Sequence, residues 1–383
     1  MQNKIYPRLF QCPKSSFFLF GPRGVGKTTL VRKLNLASRE VSLLDEERYQ
    51  NYLRSPGMFY EELSSLKPNK WVFVDEIKRL PNLLNEVHRL MEDKKLRFIL
   101  TGSSARKLRR SGVNLLAGRA VYRYLYPLTP MEMKKDFSLN SALETGTIPL
   151  IQNAENKREV LNAYVQIYLK EEIQAEAVVR NLAGFARFLP VAAVLHGQSI
   201  NLSNIARDCE VARPTVTGFF QILQDTLLLR TLEAYEAKLR VRERKRAKCY
   251  FVDPGIVRAI KKQYGPVAME EKGPLFEGLI HTLLVFQKDT YGDMDDLFYW
   301  APAEAKKTEV DFILIRNKEK IAIEVKATEK IRPEHFFGLR AVSNLKGVKR
   351  RILVYLGKRN RIQNGIEIYG FDSFVELLRK RSL

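Results

Sequence analysis

The 383-residue sequence has few cysteines and no long apolar segment. Its three cysteines, Cys12, Cys209 and Cys249, are isolated and lack metal-ligand spacing, which predicts buried core thiols and argues against disulfides or a zinc site. No window approaches the roughly 18 apolar residues of a membrane-spanning helix, and the N-terminal segment has no signal-peptide pattern. We therefore expect a soluble, cytoplasmic protein that does not associate with a membrane.

Acidic residues are scarce relative to basic ones. The sequence has 65 Lys and Arg against 43 Asp and Glu, which gives a formal net charge of +22. An apolar fraction of 45% excludes a disordered chain, and the length allows two or three domains. So large a positive charge favours a polyanionic partner, and nucleic acid and an anionic membrane surface are the two usual ones.

The positive charge is concentrated in the segment 238–248, KLRVRERKRAK, which holds seven basic residues and one acidic residue. Six of its cations alternate along the chain, so an extended strand would present all six on one face. They are Lys238, Arg240, Arg242, Arg244, Arg246 and Lys248. The segment predicts either a hairpin that lies along a phosphate backbone or a solvated charged surface.

A nucleotide-binding loop is predicted near the start of the chain. The apolar strand at 16–20 leads into GPRGVGKTT at 21–29, and a helical segment follows, which is a Walker A pattern in its usual setting. Its glycines let backbone N–H groups surround phosphates, while Lys27 would reach the β- and γ-phosphates and Thr28 would supply a hydroxyl to Mg²⁺. The predicted ATP-binding residues are Gly21, Gly24, Val25, Gly26, Lys27, Thr28 and Thr29.

A second motif predicts ATP hydrolysis. The apolar segment 71–74 ends in Asp75 and Glu76, which is a Walker B arrangement at the carboxyl end of a buried parallel strand. Asp75 would lie beside the Mg²⁺, and Glu76 would orient the attacking water. The segments 41–45 and 96–100 predict further strands of the same sheet.

The order of these motifs resembles the AAA-superfamily ATPases that pair an AAA-type core with a C-terminal domain of unknown function. The segments GPRGVGKTT, WVFVDE, LTGSSARKL and LAGRAVYRYLYPLTPMEM carry the resemblance. It implies ATP and Mg²⁺ as cofactors, with Ser103 or Thr101 holding the attacking water. It also implies that Arg119, or alternatively Arg109 or Arg110, reaches the γ-phosphate of a neighbouring subunit. A homo-oligomer is then expected, either a hexameric ring or a smaller assembly, and ordinary salt bridges are the alternative role for these arginines.

The middle of the chain predicts helices and then a helix-turn-helix. Residues 156–196 repeat apolar positions at helical spacing, and the resemblance assigns them to a helical lid. Residues 199–223 have the spacing of a helix-turn-helix, and the basic segment follows as a wing would. Arg213 and Thr215, at the start of the second helix, are therefore predicted to contact DNA together with the basic segment. The alternative is a winged helix that packs against protein.

The C-terminal segment resembles the PD-(D/E)XK nuclease superfamily. Glu277 lies on a predicted helix, Asp311 on a strand, and Glu324 and Lys326 share one face of the next strand. Carboxylates arranged in this way bind Mg²⁺, here Asp311 and Glu324, while an amine orients or deprotonates water. The alternative is a fold that binds DNA without cutting it.

Together these motifs predict an α/β protein in which a P-loop AAA-type parallel sheet and a helical lid precede a winged helix and an α/β nuclease-like domain. The predicted boundaries are 1–135, 136–197, 198–265 and 266–383. The predicted function is an ATP-hydrolysing motor that acts on DNA, with branched or broken DNA as candidate substrates. The alternative is a nucleotide-gated switch or scaffold whose C-terminal domains bind a protein partner without cutting DNA.

Overall fold

The computed structural model describes residues 4–103, 116, 118–168, 181–236, 246–302 and 308–383. Its N-terminal part is built on a five-stranded parallel sheet with helices between the strands. The strands are β1 (Phe17–Phe20), β2 (Ala37–Ser42), β3 (Trp71–Asp75), β4 (Arg97–Gly102) and β5 (Val121–Tyr124). The helices are α1 (Lys27–Leu34), α2 (Glu46–Arg54), α3 (Gly57–Ser64) and α4 (Leu83–Asp93).

The strand order brings the two nucleotide motifs to one edge of this sheet. The order is β2-β3-β4-β1-β5, and all four pairings are parallel. Strands β1, β3 and β4 are largely apolar and almost fully buried, as expected for parallel strands that are covered on both faces. The predicted α/β fold with a parallel-sheet core is therefore confirmed.

Two local predictions differ from the structure. The strand predicted at 41–45 ends at Ser42, because Asp45 already caps α2 by accepting a hydrogen bond from the Arg48 N–H at 3.2 Å. The cysteine prediction is wrong for one of its members, since Cys12 is exposed whereas Cys209 and Cys249 are buried. Cys12 lies in the irregular N-terminal segment that precedes β1, which explains its exposure.

Short helices follow the parallel sheet. They are α5 (Pro130–Met133), α6 (Leu139–Thr145), α7 (Pro149–Gln152), α8 (Lys157–Ala163) and α9 (Leu182–Val194). Phe188 of α9 packs against Phe219 and Phe220 of a later helix, with ring centroids 5.3 and 4.9 Å apart. The predicted boundary at residue 197 therefore passes through a packed unit, and the division into domains stays a prediction.

A helix pair and a small antiparallel sheet come next. Their elements are β6 (Gln198–Ser199), α10 (Leu202–Asp208), α11 (Arg213–Asp225), β7 (Leu229–Leu232) and β8 (Lys248–Phe251). The strand order is β6-β8-β7. Asn201 caps α10. Pro214 occupies the first turn of α11, where the N–H group that proline lacks would have no partner within the helix. Four of the basic residues that were predicted to share one face of a strand and contact DNA lie outside the described residues. They are Lys238, Arg240, Arg242 and Arg244.

The C-terminal part contains a six-stranded mixed sheet flanked by helices. Its strands are β9 (Asp296–Trp300), β10 (Val310–Arg316), β11 (Glu319–Lys326), β12 (Val348–Tyr355), β13 (Arg361–Gln363) and β14 (Ile366–Gly370), in the order β13-β14-β12-β11-β10-β9. The helices are α12 (Pro254–Ile260), α13 (Met269–Tyr291), α14 (Phe337–Ala341) and α15 (Phe371–Arg379). The predicted hairpin is confirmed, because β10 and β11 pair antiparallel with Phe312 opposite Ile323. Among the helices of the described ranges, none has the length and apolarity needed to cross a membrane.

The small sheet, the C-terminal sheet and the preceding helices are joined by buried contacts. The Tyr235 N–H donates to the Tyr299 carbonyl of β9 at 2.6 Å, so the segment after β7 continues onto the edge of the six-stranded sheet. Asp253, fully buried after β8, accepts a hydrogen bond from the Thr147 N–H at 2.6 Å. A Cβ at position 146 would overlap the Asp253 carboxylate. Only glycine therefore fits at this position, where the two segments lie against each other. One large core therefore includes buried apolar residues from these helices, the small sheet and one face of the C-terminal sheet, and the other face of the C-terminal sheet has a separate core.

Candidate nucleotide site and acidic cluster

The loop between β1 and α1 has the backbone that a phosphate-binding loop requires. Gly24 and Gly26 have φ values of 81° and 88°, in the left-handed region that favours glycine. At Gly21 a Cβ would lie 2.4 Å from the Leu125 carbonyl oxygen, so a larger residue would collide with the end of β5. The loop therefore turns tightly around its centre and opens onto the N-terminus of α1, where backbone N–H groups can bind an anion.

Lys27 is the first residue of α1, and its side chain reaches back to the start of this loop. Its side chain is buried, and Nζ donates to the carbonyl oxygens of Gly21 and Pro22 at 2.8 and 3.2 Å. The ammonium group is thus held at the position from which it can reach bound phosphates. This is the arrangement expected of the Walker A lysine.

The two nucleotide motifs meet through Thr28 and Asp75. The Thr28 hydroxyl donates to Asp75 Oδ2 at 3.0 Å, which joins the start of α1 to the end of β3. Asp75 is buried, and its other oxygen accepts a hydrogen bond from the Thr101 hydroxyl at the end of β4. A hydroxyl and a carboxylate are hard oxygen ligands of the kind that Mg²⁺ prefers when it is also held by phosphates. The residues therefore fit an ATP–Mg²⁺ complex.

Glu76 lies beside the same opening. It adopts a left-handed backbone with a φ of 58°, and its N–H donates to Thr101 Oγ1 at 3.2 Å. The turn directs Glu76 to the wall of a cavity of about 560 Å³ that is also lined by Lys27 and Thr28. Ser103 makes a different contact, because its hydroxyl accepts a hydrogen bond from the Lys78 ammonium. Of the two residues predicted to hold the attacking water, Thr101 contacts the acidic pair directly.

A second cavity, of about 200 Å³, lies on the other side of the loop and was missed from the sequence. It is mainly apolar, with Ile5, Tyr6, Val25, Leu30, Leu128 and Pro149 in its wall. Arg8 closes it by donating from Nε to Glu132 at 2.9 Å and from Nη1 to the Val25 carbonyl at 2.7 Å. No local pattern in the sequence indicates this pair, because Arg8 and Glu132 lie 124 positions apart.

Arg119 forms an intramolecular ion pair in the single chain. Its Nε lies 2.6 Å from Glu92 Oε1 of α4, and both side chains are partly exposed. The guanidinium lowers the pKa of Glu92 through a hydrogen bond and its charge. Arg119 thus forms the ordinary salt bridge that was the alternative to a contact with the γ-phosphate of a neighbouring subunit. Arg109 and Arg110 lie outside the described residues.

The structure brings the four predicted nuclease-like residues together in the C-terminal part. Asp311 and Glu324 lie on the paired strands β10 and β11, and Asp311 Oδ2 accepts a hydrogen bond from the Val325 N–H at 2.8 Å. Lys326 Nζ lies 2.5 Å from Glu324 Oε1, and Glu277 faces them from α13. Burial, reinforced by the Asp311 charge, raises the pKa of Glu277 to about 7 and that of Glu324 well above its usual value.

One prediction for the basic segment is wrong, namely that Lys248 contacts DNA. Its side chain is only 5% exposed, and Nζ lies 3.2 Å from Glu277 Oε1, 3.9 Å from Asp311 Oδ1 and in contact with Glu309. Lys248 therefore cannot join a cationic face on DNA, because β8 turns this side chain into the protein. Glu309 was also missed, although it lies only two positions before Asp311, just before β10 begins.

The acidic cluster does not fit a metal ion in the arrangement described. We define the acidic cluster as Glu277, Glu309, Asp311 and Glu324. Within the described ranges, no three Asp, Glu, His or Cys side chains have a geometry that could hold a metal ion. The ammonium of Lys248 lies between three of these carboxylates. Asp311 and Glu324 are thus not part of a metal-holding group of three in the described residues, and the magnesium site expected at these two carboxylates stays a prediction.

The remaining predicted DNA contacts lie on the surface. Arg213 is exposed and Thr215 is half-buried, both in the first turn of α11. Arg246 is exposed as well, and its carbonyl accepts a hydrogen bond from the Tyr299 hydroxyl. These three side chains are placed where a ligand could reach them.

Three family models match consecutive parts of the chain. Residues 14–134 match a family model described as an AAA domain. Residues 137–265 and 272–373 match two models described as domains of unknown function, DUF8612 and DUF4143. The N-terminal part is accordingly an AAA-type ATPase domain, in agreement with the prediction.

Individual relatives share part or most of the chain. An uncharacterized protein of Mycobacterium tuberculosis is 25% identical over 319 residues, which cover 81% of this chain and 70% of that protein. The Holliday junction branch migration complex subunit RuvB of Staphylococcus saprophyticus is 36% identical over 104 residues, or 27% of this chain and 30% of RuvB. A solved structure of the replication initiator DnaA, bound to AMPPCP and single-stranded DNA, has a TM-score of 0.28 and 16% identity, covering 56% of this chain and 83% of that one. A resemblance at that level carries no conclusion about this chain.

Proposed function

We propose that this chain is an ATP-hydrolysing motor of the AAA type that acts on DNA. The observation that carries the proposal is the contact of Thr28 with Asp75 beside Glu76 and Lys27, at the edge of the parallel sheet. This set contains a cation for the phosphates, two oxygen ligands and a carboxylate that can orient water. Binding alone would not require Glu76, so the set supports hydrolysis.

The roles of the residues follow from their positions. Lys27 would bind the β- and γ-phosphates, and Thr28 and Asp75 would hold a Mg²⁺ ion, whose charge would stabilise the negative charge on the phosphates. Glu76 orients the attacking water, and Thr101 keeps Asp75 and the Glu76 backbone in position through its two hydrogen bonds. The apolar cavity beside Val25 and Leu30 is suited to the adenine ring.

The proposal that DNA is the substrate rests on charge and on surface position. The formal net charge of +22 favours a polyanion, and Arg213 and Arg246 are exposed. The elements α10, α11, β7 and β8 follow one another as in a winged helix, which supports Arg213 and Thr215 as DNA contacts. Similarity to a RuvB subunit over the ATPase domain favours branched DNA as a candidate. In an oligomer, Arg119 would exchange Glu92 for the γ-phosphate of a neighbouring subunit.

The test is ATP hydrolysis by the full chain with and without duplex or branched DNA, at increasing salt concentrations. We expect DNA to stimulate hydrolysis, and the stimulation to fall steeply with salt because phosphate contacts release counterions. The Glu76→Gln variant is the matched control, since it should bind ATP and DNA but show no stimulated hydrolysis. A rate that DNA does not change at low salt would contradict the proposal.

The second candidate is a nucleotide-gated switch or scaffold that does not cut DNA. The position of Lys248 inside the acidic cluster favours this candidate for the C-terminal part, because an ammonium group lies where a nuclease would hold its metal ion. In that case ATP hydrolysis would be slow and independent of DNA, and the C-terminal part would bind a protein partner. Under both candidates we expect purified wild-type chain not to cleave linear, circular or branched DNA in Mg²⁺.

A further inference from the structure

The acidic cluster brings four carboxyl groups and two ammonium groups together. The ammonium groups are those of Lys248 and Lys326, and burial, reinforced by the Asp311 charge, raises the pKa of both Glu277 and Glu324. Asp311 and Glu324 are each 6% exposed, so water screens them little. A cation held among these carboxyl groups would therefore interact strongly with their oxygens.

The cluster also retains an unused ligand atom. Glu324 Oε2 is buried and has no hydrogen-bond partner among the described residues, while its other oxygen is engaged by Lys326. Most buried carboxylate oxygens accept a hydrogen bond or bind a cation, since an unpaired one is costly. Glu309 is 32% exposed at its side chain, so the cluster is open to solvent on that side.

Lys248 occupies the central position in place of a metal ion. Its Nζ contacts carboxylates from two different elements, Glu277 of α13 and Asp311 of β10, as well as Glu309 just before β10. The lysine itself comes from a third element, β8, at the point where the basic segment ends. An ammonium group is a compact point charge, so it can neutralise these oxygens without completing a metal coordination shell.

We propose that Lys248 is a tethered cation that competes with divalent metal ions for the acidic cluster and so keeps its affinity for Mg²⁺ or Mn²⁺ low. Withdrawal of Lys248 from the cluster would convert it into a divalent-cation site. The inference deepens the proposed role of the C-terminal part, since it concerns the same acidic cluster. Its test measures metal binding only, so it is independent of whether the chain hydrolyses ATP or acts on DNA.

The experiment is Mn²⁺ binding to the nucleotide-free full chain, measured as free Mn²⁺ by electron paramagnetic resonance. The variants are Lys248→Met, the same change combined with Asp311→Asn, and Lys349→Met as a control that removes an exposed lysine. We expect Lys248→Met to bind Mn²⁺ at least tenfold more tightly than wild type, because a competing positive charge is removed. Adding Asp311→Asn should abolish the gain, and Lys349→Met should match wild type. The nucleotide site is the same in every variant, so its contribution cancels.

Two results would overturn the proposal: equal Mn²⁺ affinity of Lys248→Met and wild type, or a gain that survives Asp311→Asn. Because Lys248→Met leaves buried carboxylates without a cation, thermal unfolding provides a second readout. Mn²⁺ should raise the melting temperature of this variant more than that of wild type. If the variant does not fold, wild-type crystals soaked in Mn²⁺ decide the question by anomalous scattering. A Mn²⁺ ion bonded to Asp311 while Lys248 still contacts Glu277 would contradict competition, whereas an empty cluster or a displaced Lys248 would support it.

Discussion

Thr101 contacts both residues of the acidic pair at the end of β3, through Asp75 Oδ1 and the Glu76 N–H. We therefore expect Thr101→Ala to lower kcat for ATP hydrolysis on the order of tenfold to a hundredfold, because the carboxylate and the water-orienting residue lose a common support. KM for ATP should change much less. Ser103→Ala is the matched control and should cause a smaller loss, since Ser103 contacts Lys78 instead. If both variants lose kcat equally in steady-state hydrolysis, Ser103 would again be a candidate for holding the attacking water.

His196 provides a prediction for pH dependence. Burial lowers its pKa to about 3, and its Nδ1 accepts a hydrogen bond from the Phe251 N–H at 3.0 Å. The unfolded chain binds a proton at this residue below about pH 6.5, and the folded chain does not. The free energy of unfolding should therefore fall by about 2 kcal/mol between pH 7 and pH 5 on account of His196.

Urea unfolding of wild type and His196→Asn at both pH values measures this effect. Asparagine can still accept the Phe251 hydrogen bond but does not titrate, so the variant should lose less stability on acidification. Part of the fall should remain, because burial also lowers the pKa of His281. An identical fall in both proteins would show that His196 does not account for the acid sensitivity.

At the scale of single residues, the nucleotide site was predictable and the environment of Lys248 was not. Lys27 and Thr28 are neighbours in a short motif, and Asp75 ends a strand whose apolar pattern is local, so spacing was sufficient. The contact of Lys248 with Glu277 joins residues 29 positions apart on different elements. The alternation of cations at 238–248 predicted one exposed face, but long-range packing reversed the orientation of its last member.

Helix α13 approaches the His196 ring closely at a glycine. A Cβ at position 278 would lie 2.1 Å from His196 Nε2, so the helix can approach the imidazole ring only because Gly278 has no side chain. Gly278→Ala should lower the free energy of unfolding by about 2 kcal/mol or more, since neither the ring nor the helix can move without disturbing the core. Chemical denaturation measures the change.

The matched control is Gly218→Ala in the middle of α11, where a Cβ would meet no atom within 4 Å. This change should be neutral or stabilise by up to about 1 kcal/mol, because alanine favours the helix more than glycine does. If both variants lose the same stability, the close approach at Gly278 does not limit the packing of α13.

Among the elements, continuous apolar runs and the antiparallel hairpin were predicted well, while boundaries and junctions were not. Strands β1 and β3 are buried on both faces, so their composition alone identifies them. No local pattern in the sequence indicates that the segment after β7 pairs with Tyr299, because this pairing depends on where two distant strands end. The cavity closed by Arg8 was missed for the same reason, since Glu132 lies 124 positions away.

Across the whole molecule, a series of contacts joins the nucleotide loop to β8. The Gly24 carbonyl accepts a hydrogen bond from the Leu150 N–H at 3.2 Å, and the nearby Thr147 N–H donates to Asp253, two residues beyond β8. The strand that carries Lys248 is therefore anchored close to the segment that contacts the glycine loop between β1 and α1. A motor that moves this segment during hydrolysis would act on the acidic cluster through the same contacts.

The net positive charge leads to the last prediction, which concerns how the whole chain would bind DNA. If the basic segment lies along phosphates, the combined change of Arg240, Arg242 and Arg244 to alanine should weaken DNA binding equally for all sequences. The slope of log K against log salt concentration should fall by up to about 3, because fewer counterions are released. Titration of labelled duplex DNA by fluorescence anisotropy at several salt concentrations gives the slope.

A charge-matched control changes Arg379, Lys380 and Arg381, which are exposed at the end of the chain. The same loss of slope in both triple variants would mean that only the total charge matters, and an unchanged slope in the first would identify 238–248 as a solvated surface.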